Sequence, residues 1–465
     1  MRFDAIVIGA GMSGLAAGIR LAQMGKRTLV LERHYLWGGL NSFFKREGRR
    51  LDTGLHALTN YVPRGTPGAP LTRLLRQLRI PYEALELAPQ GFSQTVFRVG
   101  GELVRLRYSN DPELLRSEIA RVFPAEGPAF ERLLTALPTF NDDSPEGFAT
   151  SARAKLGEFF RDPLLIEMLM AGASYYGCPT ERDMSWNDYG VLFRSIHVEG
   201  MARPEGGVKL ILDVLRERLR TEGGELRTKS GVKRIVTEAG AARGVELDDG
   251  TLLESECVLS SAGLAETRQL CGLEVDERDI GRLTFVETTT VLDCEPRELG
   301  HEATITFFND GERFEYACPD ELVDLRSGVL TCPNNYASKT PLEEGCLRAT
   351  VMANYARWKA LGPEQYRSEK ARVYDAVQRA IAHFGADARL HTRWSDTFTP
   401  LTIERYTGKR GGAVYGSPRK ARDGSGPVRG VHVIGTDQGL VGIVGTLLSG
   451  ILIANRTLMA PQAAP

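Results

Sequence analysis

The stretch DAIVIGAGMSGLAAGIRLAQMGKRTLVLER, residues 4–33, decides the fold. Residues 4–9 (DAIVIG) read as a strand, apolar without a break after Asp4, the pattern of one buried on both faces of a parallel sheet. Residues 13–25 read as a helix, with Leu15, Ala16, Ile19, Leu21 and Ala22 on its packing face and Gly25 closing it. A second strand follows at 27–32, which completes a β-α-β unit. The turn between the first strand and the helix carries Gly9, Gly11 and Gly14 in the spacing G-x-G-x-x-G, with Ser13 in the helix's first turn. Glycines so placed permit a tight turn, let backbone N–H groups approach a pyrophosphate, and let helix and strand pack closely. The helix N-terminus adds its positive dipole to the phosphates. Glu32, ending the second strand, is the acceptor expected for adenosine ribose hydroxyls, and its charge disfavours a 2′-phosphate. The pattern predicts a bound adenine dinucleotide.

The residues after Glu32 narrow the ligand. Arg33 leads into HYLWGGLNSFF, where Gly38 and Gly39, then Leu40 and Asn41, suggest a second backbone cradle for an extended cofactor. A nicotinamide dehydrogenase would continue with further β-α-β units, and this chain does not. FAD is therefore expected rather than NAD.

The remaining chain fits a two-domain soluble enzyme. Lys and Arg number 58 against 59 Asp and Glu, a net charge of -1, so no electrostatic case exists for a nucleic-acid partner. Seven cysteines, widely spaced and without a C-x-x-C pair, argue for a reducing, cytoplasmic setting and against a disulfide framework or a metal site. The apolar N-terminus is broken by the functional glycines and preceded by Asp4, so it is not read as a signal peptide. No charge occurs between Asp437 and Arg456, a length near the span threshold of about 18 residues. Its four glycines and its position directly after a strand make it a buried helix instead.

Patterning assigns the domains. A discontinuous cofactor domain is expected from residues 1–60, 205–280 and 425–465. The segments 61–204 and 281–424 are assigned to a substrate domain, the first of them predominantly helical (70–80, 111–123, 127–137) and the second mixed. Asp249-Gly250 marks a hairpin between short strands, and the tail APQAAP is expected to lack order. The fold class is thus α/β, a Rossmann-like FAD domain with an inserted α+β substrate domain and helical lid.

Several motifs in series resemble one family. After the glycine turn, Glu32-Arg33 and Gly38-Gly39 comes LDTGLH (51–56); RPEGGVKLILDVLRERL (203–219), TPLTIERYTGKRGGAVYG (399–416) and VIGTDQGLVGIVGTLLSG (433–450) come later in the chain. This order is similar to the FAD-dependent phytoene desaturase, carotenoid isomerase and retinol saturase group, within the amine-oxidase-like flavoproteins. Leu40-Asn41 departs from it, because the broader family often has an arginine there. The resemblance implies that the backbone of Val232 holds the adenine. It implies that Gly435, Thr436 and Asp437 reach the ribityl and pyrophosphate. A helix beginning near Gly445, with Val444, is implied to aim its N-terminus at the flavin.

The same resemblance puts His56 beside the flavin, as hydrogen-bond donor or proton shuttle, and puts Arg405 and Tyr406 beside the substrate cavity. Glu404 is a weaker candidate. The apolar, aromatic stretch 159–177 suits a polyene or polyprenyl chain as well as it suits plain helical core. The expected activity is desaturation, saturation or cis–trans isomerisation of carbon–carbon bonds in an apolar isoprenoid, with peripheral membrane contact as the route for such a substrate. Two alternatives stay open at this point: a flavin amine oxidase, and a flavin-free binding protein of the prenyl-protein escort type.

Overall fold

The structure, a computed structural model, describes residues 1–459 except 55, 64, 67, 140–143 and 386. The tail 460–465, expected to lack order, lies outside the described residues.

At its centre is an all-parallel sheet in the order Glu225–Arg227, Thr28–Leu31, Ala5–Ile8, Val258–Ser260, Val431–Val433. All residues of Ala5–Ile8 and Thr28–Leu31 are buried, as continuous apolar runs require. The period of two sorts them: Val7, Val30 and Leu259 face helices Met12–Gln23, Val208–Thr221 and Gly442–Met459. Ile6, Ile8, Leu29 and Leu31 face the antiparallel sheet formed by Val232–Glu238, Ala241–Leu247 and Leu252–Glu254. The strands of the parallel sheet are far apart in sequence, so three stretches of chain converge on one layer.

The uncharged segment is the helix Gly442–Met459, long and apolar enough to cross a membrane. Here it lies against the first helix, where a Cβ on Gly450 would sit 2.1 Å from the Ser13 carbonyl oxygen. Backbone meets backbone at that crossing, which explains a helix rich in glycine and uncharged until Arg456 in its last turn.

The second layer is a seven-stranded sheet, in the order Thr392–Phe398, Thr284–Leu292, Gly345–Ala353, Val323–Thr331, Ile305–Asp310, Ser93–Val99, Glu102–Tyr108. One of its faces packs on the helical region, including Pro112–Val122, Gly127–Ala136 and Pro163–Gly177; the other packs on Pro363–Ile381. Helices predominate in 61–204, as expected, and the strand pair Ser93–Val99 and Glu102–Tyr108 adds a hairpin that the reading did not include. Gly100 and Gly101, at φ 59° and 92°, turn this hairpin. Helical patterns on both sides mask a short alternating run in windows of helical length.

Gly14 is the tightest point of the first turn: a Cβ there would stand 1.9 Å from the Gly9 carbonyl oxygen. Gly14→Ala is expected to destabilise the fold by about 3 kcal/mol, through overpacking of backbone that cannot move aside. A thermal melt followed by circular dichroism checks it.

Candidate active site

The first turn and the double glycine form one cradle. Gly38 N donates to the Ala10 carbonyl at 2.9 Å, and a Cβ on Gly39 would lie 3.6 Å from Gly11 Cα. A Cβ on Gly11 would meet nothing within 4 Å. Gly14 and Gly9 are glycines because protein fills the space beside them, whereas Gly11 faces open space. That opening, at a helix N-terminus with free amides, fits a dinucleotide pyrophosphate. Glu32 is buried and aimed by two backbone amides: Ala10 N donates to it at 3.0 Å and His34 N at 2.9 Å. Two of about four acceptor sites on the carboxylate are thereby used, leaving capacity for ribose hydroxyls. Ser230 N donates to the Glu32 carbonyl at 2.8 Å, which brings the segment leading into Val232 alongside it. Arg33 turns elsewhere, donating to the Arg405 carbonyl at 2.6 Å.

From this cradle two cavities run inward and share Leu40, Thr53, Phe398 and Ile403. The outer one, about 650 Å³, includes Glu32, Tyr35 and Gly39. The inner one, about 180 Å³, is lined by Asn41, Gly54, His56, Thr436 and Ile443 on one side. Tyr175, Tyr176, Phe285, Phe307 and Tyr415 also line it. Their hydroxyls are spent on protein: Tyr175 shares a hydrogen bond with Ser327 at 3.0 Å, Tyr176 donates to Met201 sulfur, and Tyr415 donates to the Tyr175 carbonyl.

His56 borders the inner cavity with both ring nitrogens engaged. Nδ1 lies 2.8 Å from Thr331 Oγ1, and Nε2 lies 3.3 Å from Glu287 Oε2. Its carbonyl accepts from the Tyr336 hydroxyl at 2.8 Å. Glu287 is paired with buried Arg348 at 2.6 Å. Burial alone would raise the Glu287 carboxyl, but the Arg348 charge and the His56 contact outweigh it and hold it at about 2. Gly54, at φ 67°, leaves room where a Cβ would press within 2.7 Å of the Leu40 carbonyl.

Thr436 and the last helix close the cradle. Gly435 N donates to Ser449 Oγ at 2.8 Å, and a Cβ there would meet Ser13 Oγ at 2.9 Å. The Asp437 side chain is committed to protein: Oδ2 pairs with Lys409 at 3.0 Å, while Oδ1 accepts from Ser417 N at 2.9 Å. Burial opposes its charge, yet Lys409 and Lys420 hold it at about 2. Its offering to a cofactor is thus the shape of the turn, not a free carboxylate. Lys420, pushed down to about 8 by burial, donates to the carbonyls of Tyr415 at 2.7 Å and Thr436 at 3.0 Å.

Two expectations need correction. The last helix begins at Gly442, three residues before the expected Gly445, so Gly442, Ile443 and Thr446 face the cavity. Val444 turns into the core instead. Arg405 and Tyr406 do not share the inner cavity with His56. On the helix Pro400–Thr407, Ile403 reaches both cavities, whereas Arg405 and Tyr406 line the outer one beside His34 and Tyr35. The Arg405 guanidinium stands over the Tyr406 ring at 5.6 Å, and that ring meets His34 edge-on at 5.2 Å. Glu404 accepts from the Tyr355 hydroxyl at 2.7 Å.

Glu287 and Arg348 were missed, although a signal existed. Each is the one charged residue in its strand, Thr284–Leu292 and Gly345–Ala353, and both strands are almost wholly buried. A lone charge in such a strand demands an opposite partner.

With this geometry in place, comparison with known proteins is decisive for the class. The model of the family described as flavin containing amine oxidoreductase matches residues 12–458, and the chain belongs to that family. It is an FAD-dependent oxidoreductase, which removes the flavin-free alternative. Prolycopene isomerase of Arabidopsis thaliana is 22% identical over 98% of this chain and 82% of its own length. All-trans-retinol 13,14-reductase of Danio rerio is 24% identical over 98% and 86%. The solved structure of an oxidoreductase from Methanosarcina mazei superposes with a TM-score of 0.66 at 18% identity, covering 98% of this chain and 100% of that one.

Gly11→Val tests the cradle. Because the side chain enters open space from an ordinary φ of -70°, the fold is expected to persist while FAD is excluded. The ratio of flavin to protein absorbance in the purified variant should fall to near zero at an unchanged melting temperature.

Proposed function

We propose that this enzyme acts on carbon–carbon bonds of an apolar isoprenoid, by desaturation, saturation or cis–trans isomerisation. The observation that carries the reading is the charge balance of the inner cavity. Glu287 is the one acid among its lining residues, and Arg348 already neutralises it. An ammonium substrate would meet no unmatched anion there, and desolvating its charge would be costly. An apolar chain meets aromatic rings whose hydroxyls are turned to protein partners. The names of two relatives, a prolycopene isomerase and a retinol reductase, support the same class.

When bound, FAD accepts or donates hydride at its N5. The chain's own part is placement and exclusion of water. Gly54, Asn41, Thr436 and the first turn of the last helix border the cofactor side, and the amides of that turn favour negative charge. The aromatic side holds the substrate, and ring faces stabilise positive charge developing along an unsaturated chain. His56 stands between these two sides as part of the wall.

The test is anaerobic mixing of the purified holoenzyme with polyenes, prenyl lipids and amines while flavin absorbance is recorded. Bleaching or spectral perturbation by an isoprenoid is expected. Bleaching by amines alone overturns the proposal.

An apolar substrate also needs a route from lipid. The proposal therefore extends to a cytoplasmic protein whose outer cavity opens at a membrane surface. Exposed Tyr35 and Tyr406 line that cavity together with exposed Lys45 and Arg46, a pairing suited to an anionic interface. The seven cysteines are unpaired, in keeping with a reducing compartment. Lys45→Glu with Arg46→Glu is expected to weaken binding to phosphatidylglycerol vesicles about 30-fold, at about 1 kcal/mol per basic side chain lost. Sedimentation that is equal for both proteins, or absent with wild type, rejects this extension.

A further inference from the structure

LDTGLH does more than pass the cavity: its two polar ends, Asp52 and His56, each meet one cluster of charged side chains. Asp52 accepts from Arg203 at 2.5 Å and from Val208 N at 3.2 Å, capping the helix that begins there. The Asp52 charge also acts on Arg348. Arg348 in turn binds Glu287, and Glu287 meets His56. The order is therefore Arg203, Asp52, Arg348, Glu287, His56, which runs from the cofactor layer into the substrate sheet.

The hydrogens in this cluster can be assigned from its geometry. Glu287 Oε2 accepts from Thr350 Oγ1 at 3.2 Å, which uses the one hydroxyl proton of Thr350. Thr350 then has no proton to give to His56 Nε2, 3.5 Å away. A carboxylate is acceptor-only, so the ring nitrogen facing it must carry the hydrogen. In the neutral ring Nδ1 is then a bare acceptor, and Thr331 Oγ1 donates to it at 2.8 Å. The groups facing the ring are thus Glu287 on one strand, Thr350 on the next, and Thr331 on a third, while Arg348 holds Glu287.

We infer that Glu287 and Arg348 are positioning residues for this enzyme: they hold His56 in the Nε2–H tautomer against the inner cavity. Removing both charges frees the imidazole to rotate and to exchange tautomers. His56 acts by the place of its ring, which is held at both nitrogens by protein partners. The inference rests on the inner cavity being the reaction site, and so belongs to the function proposed above.

The experiment is long-range ¹H–¹⁵N correlation on histidine-labelled holoenzyme, with H56A identifying the His56 signals. In wild type we expect a protonated Nε2 and an unprotonated Nδ1 from a single tautomer. E287Q alone removes the carboxylate bonded to the buried Arg348 guanidinium, so the variant to compare is Glu287→Gln with Arg348→Met. It should show averaged nitrogen shifts, an altered visible spectrum of bound FAD, and a kcat lower by up to about 100-fold with KM near the wild-type value. Glu287→Asp, which restores a carboxylate, should recover the wild-type tautomer in part. An Nδ1–H tautomer in wild type overturns the inference by itself, whatever the variants do; so does a wild-type signature retained in the double variant. The nitrogen shifts need no substrate. A locked Nε2–H ring in an enzyme whose flavin responds only to amines therefore sustains this assignment and rejects the proposed isoprenoid function.

Discussion

The structure depends on backbone approaching backbone where side chains are forbidden. Gly14 lies so close to Gly9 that the first helix rests directly on the end of its strand, and Gly450 presses the last helix onto Ser13 at the same place. Residues from the two ends of the chain therefore build one phosphate-facing corner. The N-terminus of the first helix comes to this corner because no Cβ intervenes, and its dipole makes the corner suited to an anion. Gly11 is exempt from this packing. A Cβ there would meet nothing within 4 Å, unlike one at Gly9 or Gly14.

A second constraint joins the two layers. The segment from Leu40 to His56 leaves the cradle, crosses the cavity wall, and is pinned on both sides. Thr53 Oγ1 donates to the Leu40 carbonyl at 2.8 Å, and Asp52 caps the helix beginning at Val208. His56 reaches the substrate sheet through Thr331 and Glu287. Movement of that sheet would be felt at the cavity wall through hydrogen bonds, which are directional, rather than through apolar packing alone.

The first β-α-β unit was legible because it is local: its strands and helix fall at Ala5–Ile8, Met12–Gln23 and Thr28–Leu31, close to the ranges read from periodicity. The buried character of the last helix was legible from its glycines. The hairpin at Gly100-Gly101 was hidden, since seven-residue strands are short against the helices around them. The polar cluster around His56 was hidden for a different reason. Thr331, Thr350, Glu287 and Arg348 come from three strands whose register only the folded sheet defines. Arg405 was misplaced because adjacent helical residues point about 100° apart, so a motif beside a cavity need not aim each member into it.

That division bears on how the reaction is tuned. The cofactor corner is made mostly of backbone, which tolerates little variation and binds the same group whatever the substrate. The substrate side is made of side chains on an antiparallel sheet, where single replacements alter the cavity without disturbing the ladder. In this chain those side chains are mostly aromatic or hydroxyl-bearing, and the Glu287–Arg348 pair at the wall is internally balanced. A buried pair of this kind contributes little net stability over an apolar replacement, because desolvation offsets its attraction. Its persistence at the cavity wall is better explained by what it orients. A carboxylate held by one partner and turned toward a histidine fixes a ring in place, and it leaves the cavity itself without net charge.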